Sequence, residues 1–272
     1  MAGAIGRSSA APVMRPCRGA RNAGKMDRMA CRRHGSGSIP LSMTSEKLTT
    51  APRKPASRRY DEGCAATHAM DIIGQRWALP VMRELMLGPR RFGDLKNSIN
   101  GISANLLTQR LGSLEAAGVL RRATLPPPAS VPVYELTRWG HAALPLFDAM
   151  GQWGARSPGH DHRRPISATA LLLTLRSMID GAAAAPLEGT IRLTLDGEDF
   201  SWTKDGEDIR LARGTPDRWR VSIAGAPDVL AGWLFGEGEE AMLAAADQLS
   251  VEGDLDFAMR FADCFGAASS DF

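Results

Sequence analysis

Asn105, Thr108, Gln109 and Arg110 stand within six consecutive positions. These residue types can read duplex DNA: Asn and Gln can bond adenine through two hydrogen bonds in the major groove, and Arg can do the same to guanine. Taken alone, they read equally well as the solvated side of an ordinary surface helix. Two pairs of fixed positive charge flank them, Arg90 with Arg91 and Arg121 with Arg122. Such pairs can clamp phosphates, which fixes register without reading sequence; their bland alternative is again a solvated face. A different chemistry attaches to Cys64. A thiol at a helix start has its thiolate favoured by the positive end of the helix dipole, and Arg58 and Arg59 lie close by in sequence.

The elements around these residues decide between the readings. Apolar residues recur at helical spacing over 65–73 and 77–87, and Gly88-Pro89 ends the second helix. Phe92, Leu95 and Ile99 mark a short third helix, and Asn100-Gly101 a turn. Ser103 is the expected N-cap of a fourth helix, which Gly118 stops, and it is counted with the DNA-facing set. Leu107, Leu111 and Leu114 fall on one stripe of that helix, opposite Asn105, Gln109, Gly112 and Ala116. A strand over 119–124, a Pro-rich tip over 125–130 and a strand over 133–136 make a hairpin, after which Thr137 caps a helix reaching Trp153. Short helices followed by a β-hairpin form a winged helix-turn-helix, in which one helix enters the major groove and the hairpin touches the backbone. This order favours the DNA-reading interpretation of the polar face.

Charge is distributed to match. Residues 1–59 carry 13 Lys/Arg against 2 Asp/Glu, residues 60–164 carry 12 against 9, and residues 165–272 carry 8 against 19, giving nets of +11, +3 and −11. A phosphate backbone repels the last segment, so nucleic-acid contact belongs to the first two. Residues 1–59 are poor in periodic apolar residues and are expected to be disordered. Part of them is expected to precede the true translation start, with Met14, Met26, Met29 and Met43 as candidate starts. Residues 60–156 are expected to form the DNA-binding domain, 157–165 a polar linker, and 166–272 a second, α+β domain with strands near 189–195, 198–202, 208–212, 218–223 and 249–251 between helices. The fold class is thus α+β, a mainly helical winged unit followed by a mixed one.

The stretch from Ile73 to Leu120 resembles the HxlR-type family of winged-helix regulators. The residues that carry the resemblance are Gly74–Trp77, Arg91–Leu95, Gly101–Ser103, Leu107–Leu111, Leu114–Gly118 and, later, Val133–Thr137 with Gly140. The resemblance implies a homodimer joined by its first and last helices on a roughly palindromic operator. Repression is the expected outcome, because a compact dimer on an operator blocks polymerase without a further contact surface. Gly112 departs from it, standing where the family often has Arg. The resemblance extends to Cys64, which implies an alternative role as a sensor of oxidants, quinones or aldehydes. Residues 166–264 resemble the sterol-carrier-protein fold, chiefly through Leu249–Asp254 ahead of an apolar helix. This implies an apolar effector pocket, with Trp202, Trp219, Trp233, Phe235, Phe257 and Phe261 as candidate lining, together with Leu234 and Met242. Plain core is the simpler reading of each, since aromatic side chains dominate cores.

Other classes find little support. Cys17, Cys31, Cys64 and Cys264 form no C-x-x-C pair, no secretory signal is apparent, and no apolar run is long enough for a membrane helix. A cytoplasmic location follows. His160 and His162 lack a third metal ligand, and no nucleophile elbow, phosphate loop or dinucleotide motif occurs. No enzyme activity, metal or cofactor is expected. The remaining alternative is a carrier of hydrophobic ligands whose DNA-binding half is vestigial.

Overall fold

The computed structural model describes residues 60–161, 164–236 and 239–265, with side chains throughout except at 239–242. The expectations for 1–59, His162 and the side chain of Met242 lie outside these residues.

The first half runs α1 (Ala65–Ile73), α2 (Ala78–Leu85), α3 (Phe92–Ser98), α4 (Ala104–Ala116), β1 (Leu120–Thr124), β2 (Pro132–Leu136), α5 (Arg138–His141) and α6 (Leu144–Ala155). This is the helix-and-hairpin order read from the sequence. Ser103 caps α4 by accepting from Leu106 N at 3.3 Å, and Gly118, at φ +74°, takes the left-handed conformation that turns the chain from α4 into β1. β1 and β2 pair antiparallel, Leu120 opposite Leu136. Arg90 adds an isolated bridge to Tyr134, which makes the base of the wing three-stranded. The expected single helix from Thr137 to Trp153 is broken. Pro145 has no N–H to donate and its ring excludes the carbonyl four residues back, so α5 ends at His141 and α6 starts afresh at Leu144.

The second half runs α7 (Ala168–Met178), α8 (Gly181–Ala184), β3 (Gly189–Leu195), β4 (Glu198–Asp205), β5 (Asp208–Arg213), β6 (Val221–Gly225), α9 (Pro227–Phe235), α10 (Glu239–Ala246), β7 (Ser250–Gly253) and α11 (Leu255–Asp263). The sheet order is β5-β4-β3-β6-β7, with β3 and β6 parallel and the other neighbours antiparallel. Alternation along β3 and β4 turns Ile191, Leu193, Leu195, Phe200 and Trp202 inward.

Each half has its own apolar core. The first centres on Val81, Leu85, Leu95, Leu107, Leu111 and Leu114. Leu173 of α7 packs into it from the second half. Along the same seam, Gln152 of α6 donates to Ser177 O of α7 at 2.7 Å and Arg176 of α7 pairs with Asp148 of α6. Ser167, the N-cap of α7, donates to the fully buried Glu84 of α2 at 2.6 Å.

Candidate nucleic-acid interface

α4 divides as its leucine stripe dictates. Leu107, Leu111 and Leu114 are buried, while Asn105, Thr108, Gln109 and Gly112 are exposed. Fixing one face in a core leaves the other at a defined orientation, which an element entering a groove requires. Thr108 Oγ1 donates back to Ala104 O at 3.0 Å, so its hydroxyl oxygen remains free to accept. Ser103 is occupied by the cap but is exposed at the end of the helix.

Two arginines of the expected set face elsewhere. Arg90 is only 7% exposed, and its guanidinium pairs with Glu198 of β4 at 2.9 Å. It belongs to the seam between the halves, because the bridge to Tyr134 fixes its backbone with the side chain directed inward. Arg110 lies half-buried and donates to Arg76 O at 2.9 Å and to Gln75, tying α4 to the connection between α1 and α2. It orients the helix; its donors are directed away from the exposed face.

Arg91 is exposed at the N-cap of α3, where its backbone N–H donates to Asp94 at 3.2 Å. Arg121 and Arg122 are 70% and 64% exposed. As neighbours on one strand they point to opposite faces, so these two arginines do not share a face. Arg121 pairs with Glu135 across the hairpin at 2.7 Å. Arg122 pairs with Glu115 at 3.3 Å and covers the Tyr134 ring. Exposed pairs of this kind contribute about 0–1 kcal/mol, so a phosphate can replace either carboxylate at little cost.

Cys64 is exposed at the N-cap of α1. Its thiol pKa is lowered, first by hydrogen bonding from the Thr67 backbone, then from the Thr67 side chain and the Ala66 backbone. Of the six aromatic residues named for an effector pocket, Trp202, Phe257 and Phe261 are fully buried and Trp233 nearly so, while Trp219 and Phe235 are half-buried. Trp202 meets Phe261 edge-on at 5.0 Å, and its indole N–H has no hydrogen-bond partner in the core.

Residues 72–161 match the HxlR-like helix-turn-helix family model, and residues 170–266 match the SCP-2 sterol transfer family. An HTH-type transcriptional regulator of Synechocystis, sll1512, is 35% identical over 92 residues, which are 34% of this chain and 68% of that protein. The chain belongs to the HxlR-like helix-turn-helix family. YodB of Bacillus subtilis, an HTH-type transcriptional regulator, is 34% identical over 31% of this chain and 76% of its own length. The solved reduced form of YodB matches with 30% identity and a TM-score of 0.33, covering 37% of this chain and all of that one. These relatives match about a third of the chain, so the SCP-2 half is an addition to what they share with it.

The HxlR-like pattern in the sequence carried no sign of the polar seam behind α4. One signal was available. Glu84 lies on the α2 stripe that buries Val81, Met82 and Leu85, a position where an acidic residue needs a partner. Its partner, Ser167, is far along the chain, and no local pattern links the two.

Proposed function

We propose that this chain is a repressor that binds a roughly palindromic operator as a homodimer in the cytoplasm. The observation that carries the reading is the α4 face: Asn105, Thr108 and Gln109 exposed together above a buried leucine stripe. Arg91, Arg121 and Arg122 supply phosphate contacts around it. Homodimerisation is supported by apolar side chains at the two ends of the half. Met70 of α1 is 49% exposed, and Met150 and Trp153 of α6 are 42% and 81% exposed. None of the residues of either helix is buried within the chain, and large apolar groups left in this way mark an association surface.

Fluorescence anisotropy tests the proposal, with the intergenic DNA beside the protein's own gene against scrambled DNA at physiological salt. Wild type should prefer the former by about 10³-fold or more. Gln109→Ala should relax that preference, and Arg91→Ala should weaken binding to both probes and flatten the salt dependence. Weak and equal binding of wild type to every probe in a genome-wide selection would leave the carrier alternative standing.

A second reading is favoured by the environment of Cys64. An exposed thiol with a lowered pKa at the start of a helix is poised to react as thiolate, and its oxidation or alkylation there would alter the dimer surface. Loss of operator binding on alkylation, absent in Cys64→Ser, is the expected signature. An apolar effector in the second half is part of the same proposal, supported by the indole N–H of the fully buried Trp202, which has no hydrogen-bond partner among the described residues.

A further inference from the structure

Between the two halves lies a pocket of about 360 Å³, lined from both sides. α3 and the turn after it contribute Asp94, Asn97, Ser98 and Asn100. The start of α7, the β3–β4 turn and the start of α9 contribute the opposite wall, including Ser167, Asp196, Glu198 and Asp228. Among the described residues five carboxylates line it, those of Glu84, Asp94, Asp196, Glu198 and Asp228, against the lining cation Arg90, while Arg83 pairs with Glu84 and Arg213 with Glu198 beside it, so acid remains in excess. Arg90 is already committed to Glu198.

The wall also holds an unanswered polar atom. Glu84 is fully buried, and its Oε1 accepts from Arg83 at 2.9 Å and from Ser167 at 2.6 Å. Its Oε2 has no hydrogen-bond partner among the described residues. A buried charged oxygen without a donor is costly, and beside the pocket a ligand donor can answer it. The starts of α7 and α9 would favour an anion, but each already holds an acceptor of its own. Ser167 accepts from Ala170 N at 3.2 Å, and Asp228 accepts from Val229 N at 3.1 Å.

We propose that this pocket binds a small aliphatic diamine or polyamine, one ammonium group against Glu84 and another at the mouth beside Asp196 and Asp228. A bare metal ion fits poorly, because no three acidic, His or Cys side chains among the described residues converge as a metal site. The carboxylates are spread instead around a cavity of the size that holds small organic ligands. Since α3 and the turn after it lead directly into Ser103 and α4, a bound ligand bridges the second half to the reading helix. That coupling rests on the DNA-binding reading; the binding itself does not.

The experiment is calorimetric titration of the full chain at physiological salt with putrescine and spermidine, and with glutarate and magnesium as contrasts. Saturable one-site binding of an amine is expected. Asp196→Asn and Glu84→Gln should each weaken it about tenfold or more, the scale of one charge-assisted hydrogen bond. Glu252→Gln, exposed on β7, should leave it unchanged. Asp196 sits in an exposed turn at φ +50°, a conformation Asn accepts, so that variant keeps the fold. No saturation, equal weakening by all three substitutions, or equally good binding of glutarate or magnesium overturns the proposal. Operator anisotropy with putrescine, wild type against Asp196→Asn, then reads the coupling. A shift confined to wild type supports it, and equal shifts refute it. Failure of both proteins to bind any operator would refute the DNA-binding reading, leaving the calorimetric result intact.

Discussion

Arg90 and Arg91 are adjacent and identical in type, yet one is 7% exposed against Glu198 and the other is exposed at the start of α3. They mark the difference between the seam joining the two halves and the open surface of the first. The first half keeps its chemistry on the surface: polar groups on α4, arginines on the wing and apolar side chains on α1 and α6. The second half turns its chemistry inward, with Trp202, Phe257 and Phe261 packed together and its arginines paired with acids. Substitutions of conspicuous residues should therefore alter DNA binding on the surface of the first half and stability in the core of the second.

The largest effect expected from this contrast is at Phe261, fully buried and edge-on to both Trp202 and Phe265 at 5.0 and 4.9 Å. Phe261→Ala should destabilise the chain by about 3–5 kcal/mol through lost burial and a residual cavity, read as a lower urea midpoint. The folded fraction should still bind operator with wild-type affinity. A variant that kept its stability but lost DNA affinity would reverse the assignment of the two halves.

The two arginines give the sharper test. Arg90→Ala leaves Glu198 with Arg213 as its remaining partner. Because Glu198 is partly exposed, the cost should be about 2 kcal/mol, below that of a fully buried pair. Arg91→Ala should change stability by less than ~0.5 kcal/mol while weakening DNA binding for all sequences. Urea melts and anisotropy on both variants separate the outcomes, and equal effects of the two on stability would break the comparison.

The sequence made the first half legible because its signals are local. Helix stripes, the Ser103 and Thr137 caps and the Pro-rich tip each act over a few residues, and the structure follows them closely. The strands of the second half were also legible as segments, although the residues before Val221 proved to lie outside β6. The facing of individual arginines was not legible. Arg90 and Arg110 are set by Glu198, Gln75 and Arg76, partners 34 to 108 positions away. A basic residue next to a reading helix looks the same in sequence whether it faces solvent or a seam.

Acid should expose the second half first. Asp199 accepts from Thr194, Thr215 and Arg192, in that order of influence, and these hold its pKa down to about 2 from an ordinary 3.8. A pKa lowered by folding means stabilisation that is complete above the ordinary value and is lost as the pH falls from there through about 2. Urea melts from pH 5 downward should show that loss in wild type and a flatter profile over this window in Asp199→Asn. Identical profiles would remove Asp199 from the account of acid stability.

The smallest effect concerns Gly112, on the exposed face of α4. A Cβ there meets nothing within 4 Å, and the residue lies inside a regular helix. Gly112→Ala should raise stability by about 0.5–1 kcal/mol, since Gly gives up more backbone freedom on entering a helix. Gly112→Arg should gain most of the same helix preference and add a cation beside Gln109. If the α4 face meets DNA, Arg at 112 should tighten binding to operator and scrambled probes alike and steepen the salt dependence, whereas Ala should leave both almost unchanged. If instead both variants gain stability and neither changes DNA binding, the face carrying Asn105 and Gln109 is only a solvated surface, and the contrast between the two halves loses its functional meaning.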